Sequence, residues 1–249
     1  MPFAANAISG ALAGAGAIAL AAGGCAYAAL WPTSQIFGRT LIAPRQTDKN
    51  GPGEIALTFD DGPNPAWTPR LLEILHRNSV KATFFLVGKY ASSESGLTRL
   101  IAGSGHLIGN HTWSHPNLAL TAPRKVCEEL RNTNDALEQI LGKPIRHFRP
   151  PFGARRPDVL RTARELGLTP VTWNAMTSDW NEPSANRIAA TLSAQADRLH
   201  QRGFAANIVL HDGGHLEPRA NREPSVTAAG KLLERYAKTC RFVTVEEWS

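Results

Sequence analysis

From Ile55 onward, short apolar runs alternate with longer stretches whose apolar residues recur at helical spacing. The short runs predict strands at Ile55–Phe59, Ala82–Val87, His106–Gly109, Ile145–Phe148, Thr169–Trp173, Asn207–Leu210 and Arg241–Val245. The longer stretches predict helices. Pro69–Arg77 opens with Thr68 as its cap and Pro69 in the first turn, where a missing N–H costs nothing. Pro123–Leu141 places Val126, Leu130, Leu137 and Ile140 on one face and stops at Gly142. Ala185–Arg202 does the same with Ile188, Leu192, Ala196 and Leu199, between Ser184 and Gly203. Strands alternating with helices on short connections predict an α/β fold, a distorted (β/α) barrel of about seven parallel strands.

In such folds the chemistry gathers where strands end at their C-terminal side. The first strand ends in Asp60-Asp61, within Thr58-Phe59-Asp60-Asp61-Gly62-Pro63. The third runs into Asn110-His111-Thr112-Trp113-Ser114-His115, and the fourth into Arg149-Pro150-Pro151-Phe152-Gly153. The fifth leads to Asp179-Trp180, and the sixth ends in Val209-Leu210-His211-Asp212. Adjacent carboxylates at the end of a buried strand need a cation or hydrogen-bond donors. On one helical turn, His111 and His115 share a face. Two imidazoles and one carboxylate form an N/O set suited to a divalent transition metal, zinc first, with cobalt or nickel as alternatives. Three protein ligands leave a position for water, which marks a catalytic site. The plainer readings are a turn signal for Asp-Gly-Pro, a surface coincidence for the histidine pair, and a hydrogen-bonded rim for the whole.

Composition narrows the class. The chain has 249 residues, 43% hydrophobic and 19% charged, which suits one large globular domain. Its net charge of +6 comes from scattered Lys and Arg, with no nucleic-acid footprint and no evident protein partner. Three cysteines far apart leave room for at most one bridge, Cys127–Cys240, and give no cysteine zinc site. No Asp, Glu, Lys or Arg precedes Arg39, and Ala11–Leu30 is an apolar run. Residues 1–38 are therefore expected to be a signal peptide or membrane anchor, with anchoring through residues 8–31; Ala26-Tyr27-Ala28 fits the small-x-small cleavage rule. A loosely ordered leader is the alternative: no basic residue precedes the run, while Arg39, Arg45 and Lys49 follow it. Residues 39–53 read as a polar linker, and 54–249 as the catalytic domain.

The five strand-end motifs, Thr58–Pro63, His111–His115, Arg149–Gly153, Asp179-Trp180 and Val209–His211, resemble in order and spacing those of the polysaccharide deacetylase family, carbohydrate esterase family 4. The resemblance implies hydrolysis of N-acetyl groups on a polysaccharide, chitin-like or peptidoglycan, outside the cytoplasm: periplasmic or extracellular. It implies Asp61, His111 and His115 as metal ligands, Asp60 as general base, and Arg149 as the residue that orients the base. The backbone N–H of Phe152 would serve the oxyanion and His211 would be the general acid. Trp180, Val209 and Leu210 would form the wall around the acetyl group. The chain departs from the pattern at Met176, where the family carries an Asp that tethers the catalytic His. That departure predicts a weakened acid unless Asp179 or Asp212 supplies the charge. His76, His106, His147, His200 and His215 match no motif and read as loop, surface or packing residues. Two other functions fit the residues: an amidohydrolase of a small non-carbohydrate amide, and a catalytically silent glycan-binding domain, the latter motivated by Met176.

Overall fold

The computed structural model describes residues 23–46 and 51–249. Most of the expected leader (1–22) and residues 47–50 of the expected linker lie outside the described residues. Eight strands form one sheet in which every pair is parallel: β1 Gly53–Asp60, β2 Thr83–Leu86, β3 Leu107–Asn110, β4 His147–Phe148, β5 Thr169–Pro170, β6 Ala175–Met176, β7 Ala206–His211 and β8 Cys240–Val243. The order is β5-β4-β3-β2-β1-β7-β6, with β8 alongside the first half of β1. The sheet curls into a half-barrel flanked by helices, the distorted (β/α) barrel that the alternation predicts. The expected fifth strand is cut to two residues, and among the described strands β6 is the one with no counterpart in the apolar pattern.

Central β1 is buried on both faces from Ile55 to Asp60, which is why it reads as a continuous apolar run rather than an alternating one. The helices are α1 (residues 23–30), α2 Thr68–Arg77, α3 Gly88–Ser93, α4 Ser95–Gly103, α5 Pro123–Leu141, α6 Pro157–Glu165, α7 Ala185–Gln201 and α8 Glu223–Tyr236. Val126, Leu130 and Leu137 of α5, and Ile188, Leu192 and Ala196 of α7, are buried as their spacing predicts. The Ser184 hydroxyl caps α7 by accepting from the Arg187 N–H. Thr68 does not cap α2; it lies inside the helix, and its hydroxyl donates to Asp212 instead. All three cysteines are free, so the Cys127–Cys240 bridge is not made.

Residues 40–46, expected as linker, fill the seam between the two ends of the half-barrel. Leu41 bridges Val171 and Arg45 bridges Phe204. The Asn207 amide on β7 donates to the Ile42 carbonyl at 2.7 Å and the Thr172 carbonyl at 2.8 Å. Just before this stretch, buried Arg155 donates to the carbonyls of Gly153, Trp31 and Ser34, each at 2.7 Å, and its backbone N–H bonds Ala29 at 3.0 Å. The residues following α1 are thus fastened to the loop that carries Phe152. Among the described residues, no helix is long and apolar enough to cross a membrane.

Candidate active site

Parallel register brings the strand ends to one rim. Asp60 is the cross-strand partner of His211, and Asn110, just before His111, is the partner of Phe148, just before Arg149. Among the described residues, four of the five non-glycine residues with positive φ sit on this rim: Asp61 (69°), Thr112 (66°), His115 (61°) and Phe152 (58°). Such backbone is costly for residues with a Cβ and persists where the surroundings enforce it.

Asp60 is almost fully buried, and Arg149 Nη1 donates to its Oδ1 at 2.8 Å. The guanidinium also donates to Thr58 Oγ1 at 2.7 Å and Asn207 Oδ1 at 3.3 Å. It lies 4.2 Å over the Phe85 ring and 5.6 Å from that of Trp173. Burial pulls the Arg149 pKa down while the adjacent carboxylate opposes the shift; arginine stays charged under either influence. Asp60 is therefore backed by a fixed positive charge.

Asp61 faces the histidines. Its Oδ1 lies 3.1 Å from His115 Nε2 and 3.5 Å from His111 Nε2. Burial pushes its carboxyl up, yet the neighbouring imidazoles together hold it well below the usual range. His111 Nδ1 pairs with the Arg149 carbonyl at 2.8 Å, which directs its other nitrogen towards the carboxylates. Burial holds the His115 pKa below its ordinary value. The two histidines are not on a helical turn, as their spacing suggests, because residues 111–117 are irregular. Left-handed backbone at Thr112 and His115 swings the second ring in, so the two ring centroids lie 4.9 Å apart. Neighbours unmarked by any motif hold this loop. Asn110 accepts from the Thr112 N–H at 2.8 Å, and buried Glu129 on α5 accepts from the Ser114 N–H at 2.7 Å and hydroxyl at 2.8 Å.

These residues fit a divalent cation. Buried Asp61 Oδ1 sits at ion-pair distance from two imidazoles but receives no hydrogen bond. Separations of 3.1 and 3.5 Å suit ligand atoms sharing one ion at about 2.0–2.2 Å each.

His211 lies across the cleft, its Nδ1 2.8 Å from Asp179 Oδ1. Asp179 Oδ2 also accepts the His211 backbone N–H at 2.9 Å and the Ser225 hydroxyl at 2.6 Å. Burial pulls the imidazole pKa down, but Asp179, then Asp61 and Asp60, outweigh it and raise the value to about 9. The tether absent at Met176 is thus supplied by Asp179. Met176 pairs with Val209 at the cleft edge and exchanges two hydrogen bonds with Gln195 through its backbone.

The cleft between these groups encloses about 600 Å³. Phe152, Trp180 and Val209 line it, with the Trp180 ring edge-on to His211 at 5.0 Å. Leu210 does not line it. Strand alternation turns this residue to the opposite face of β7, where it is fully buried in the main core, so its expected place in the substrate wall is corrected. Leu30 and Pro32 form part of the wall and were hidden within an apparent leader. The glycines of the Asp60 and His211 loops interlock. A Cβ on Gly213 would stand 2.1 Å from the Asp61 carbonyl oxygen, and one on Gly62 2.5 Å from the Asp212 carboxylate. His215, read from sequence as an ordinary loop residue, faces Asp61 Oδ2 with its Nδ1 3.6 Å away.

A polysaccharide deacetylase family model matches residues 47–171. The chain is 36% identical over 176 residues to a chitooligosaccharide deacetylase of a Bradyrhizobium species, covering 70% of this chain and 78% of the relative. It is 35% identical over 193 residues to a peptidoglycan-N-acetylglucosamine deacetylase of Bacillus cereus, covering 77% of this chain and 66% of that protein. A crystal structure of a peptidoglycan N-acetylglucosamine deacetylase in complex with 4-naphthalen-1-yl-N-oxidanyl-benzamide superposes with a TM-score of 0.72 at 33% identity, covering 84% of this chain and 91% of that one. The match in sequence, the shared fold and the rim on which the five motifs meet lead to one conclusion: the chain belongs to the polysaccharide deacetylase family.

Proposed function

We propose that this protein removes N-acetyl groups from an N-acetylglucosamine polysaccharide of the cell envelope, chitin-like or peptidoglycan. The observation that carries the reading is a pair of oppositely prepared proton-handling groups on either side of the Asp61–His111–His115 cluster. Asp60 is backed by the Arg149 guanidinium as the base, and His211 is held by Asp179 as a charged acid.

A divalent cation held by Asp61, His111 and His115, zinc first with cobalt or nickel as alternatives, would supply Lewis-acid activation of water and of the amide carbonyl. Asp60 accepts a proton from the attacking water as the water oxygen bonds to the carbonyl carbon. The Phe152 N–H is assigned to the oxyanion that develops. His211 gives its proton to the nitrogen as the C–N bond breaks, releasing acetate and a free amine. Trp180 and Val209 bound the space for the acetyl methyl. Leu30 and Pro32 extend the wall.

The Asp179 tether removes the ground for a silent glycan-binding domain. The apolar, charge-free start of the chain and a glycan substrate both support export or membrane anchoring, to the periplasm or cell exterior. Acetate release from a chitin oligomer and from peptidoglycan, with and without added Zn²⁺ or Co²⁺, tests the activity. His111→Ala is expected to lower bound metal and turnover by orders of magnitude with the fold intact. Stoichiometric metal in that variant would sink the ligand assignment. Cell fractionation tests the location: a full-length soluble cytoplasmic protein would rule out export.

A further inference from the structure

We propose that His215 is a further protein ligand to the cation of this site, closing its coordination in the resting enzyme. The inference rests on the metal site described above and adds a residue that no motif assigns. Asp61 divides its two oxygens: Oδ1 faces His111 and His115, while Oδ2 faces His215 Nδ1 at 3.6 Å. Ligand atoms of Asp61, His115 and His215 all lie within 4.8 Å of one another.

The His215 ring is not placed there by a loose loop. It stacks on His115 with centroids 4.5 Å apart and 26° between planes, and stands edge-on to Phe152 at 5.4 Å. Its backbone carbonyl accepts from the buried Tyr90 hydroxyl at 2.7 Å. Two residues back, the Gly213 carbonyl accepts from Arg222 Nε at 2.6 Å, and the Gly213 N–H reaches the Asp60 carbonyl at 3.4 Å. The loop is therefore fixed at both its floor and its tip, with the ring aimed at the carboxylate.

The chemistry of such a ligand follows from its exposure. His111 and His115 side chains are 2% and 4% exposed, whereas that of His215 is 33% exposed and lines the cleft. Two buried imidazoles and Asp61 would give the permanent set, and the His215 imidazole, at the open side, would add one more nitrogen donor. A hydrolytic site needs an open position, so the exposed imidazole would be the one to give way to substrate. His215 would thus raise affinity for the ion between turnovers.

The test uses the full chain, stripped by a chelator and titrated with Zn²⁺ against a competing indicator, and separately loaded with Co²⁺ for its visible spectrum. Wild type, His215→Ala, His215→Gln and His111→Ala are compared, with circular dichroism establishing that each is folded. His215→Ala and His215→Gln are expected to weaken Zn²⁺ binding by at least about tenfold. They are also expected to weaken the intense Co²⁺ bands of a tetrahedral site. Wild-type affinity and spectrum in both His215 variants, with both lost in His111→Ala, would overturn the proposal and leave the active-site reading standing. Loss in the His215 variants with wild-type binding in His111→Ala would support His215 as a ligand while the assignment of His111 fails. Wild-type binding in all variants would overturn both.

Discussion

Replacing Asp179 with Asn keeps the size of the side chain but removes one negative charge, and one acceptor, from beside the imidazole it holds. The amide oxygen can still accept from the Ser225 hydroxyl and the His211 backbone N–H, but its NH2 then faces His211 Nδ1 and cannot accept from a protonated ring, which also favours the neutral imidazole. In the native protein the His211 pKa stands at about 9 against an ordinary 6.5, despite burial that pulls it down. At about 1.36 kcal/mol per pKa unit, that interval is worth about 3 kcal/mol in favour of imidazolium. Asp179 leads the groups that raise it; Asp61 and Asp60 follow, and a bound dication would largely cancel those two. With His211 as the proposed acid, activity is expected to be present below its pKa and lost as pH rises through it. Asp179→Asn is therefore expected to move the alkaline limb of kcat/KM down by about one to two pH units. Met176→Asp should leave that limb in place, because the imidazole already has its partner. The assay is initial-rate acetate release from a chitin oligomer, profiled from neutral to alkaline pH with saturating metal. An unmoved limb in Asp179→Asn would refute the argument, as would an upward move of that size in Met176→Asp.

Three further outcomes are expected. Arg149→Met leaves Asp60 buried without its counter-charge and should destabilise the fold by about 3–5 kcal/mol, read from denaturant unfolding; near-native stability would mean that Asp60 is satisfied otherwise. Gly213→Ala forces a methyl against the Asp61 carbonyl and should cost about 1–3 kcal/mol together with most of the acetate release; full activity would mean that the two loops separate freely. A chain beginning at residue 39 deprives buried Arg155 of the Trp31 and Ser34 carbonyls and removes Leu30 and Pro32 from the cleft. It should lose about 3 kcal/mol or more of stability and show a raised KM relative to a chain beginning at residue 23; equal values would make the segment dispensable.

The parts of this fold that sequence reveals are those with strong local signals. Buried β1 announces itself as an apolar run, and the α5 and α7 faces follow their spacing. Asp60, Asp61, His111, His115, Arg149 and His211 stand at strand ends, where position alone makes a titratable group conspicuous. What escaped depends on contacts remote in the chain. Asp179 lies 32 positions from His211, and nothing local decides between it and Asp212 as the carboxylate that makes good the one missing at Met176. His215 belongs to no repeated spacing, and its place beside Asp61 follows from a loop pinned by Tyr90, 125 positions away. Two-residue β6 is too short to leave an apolar signature. Residues 40–46 read as linker because their pairing partners are backbone groups on distant strands, which composition does not record.

That last seam orders the events of folding. Thr40 and Thr172, joined through their hydroxyls, are 132 positions apart, and Ile42 and Asn207 are 165 apart. Contacts of such span form slowly, since the intervening chain must first be drawn together. A chain made from its N-terminus displays residues 40–46 long before β7 exists to receive them. The two ends of the half-barrel can join only when nearly all of the domain has been synthesised. Asn207 ties this late event to the chemistry, for the amide that reaches Ile42 presents its oxygen to Arg149. Closing the seam therefore also sets in place one of the acceptors that hold the guanidinium beside Asp60.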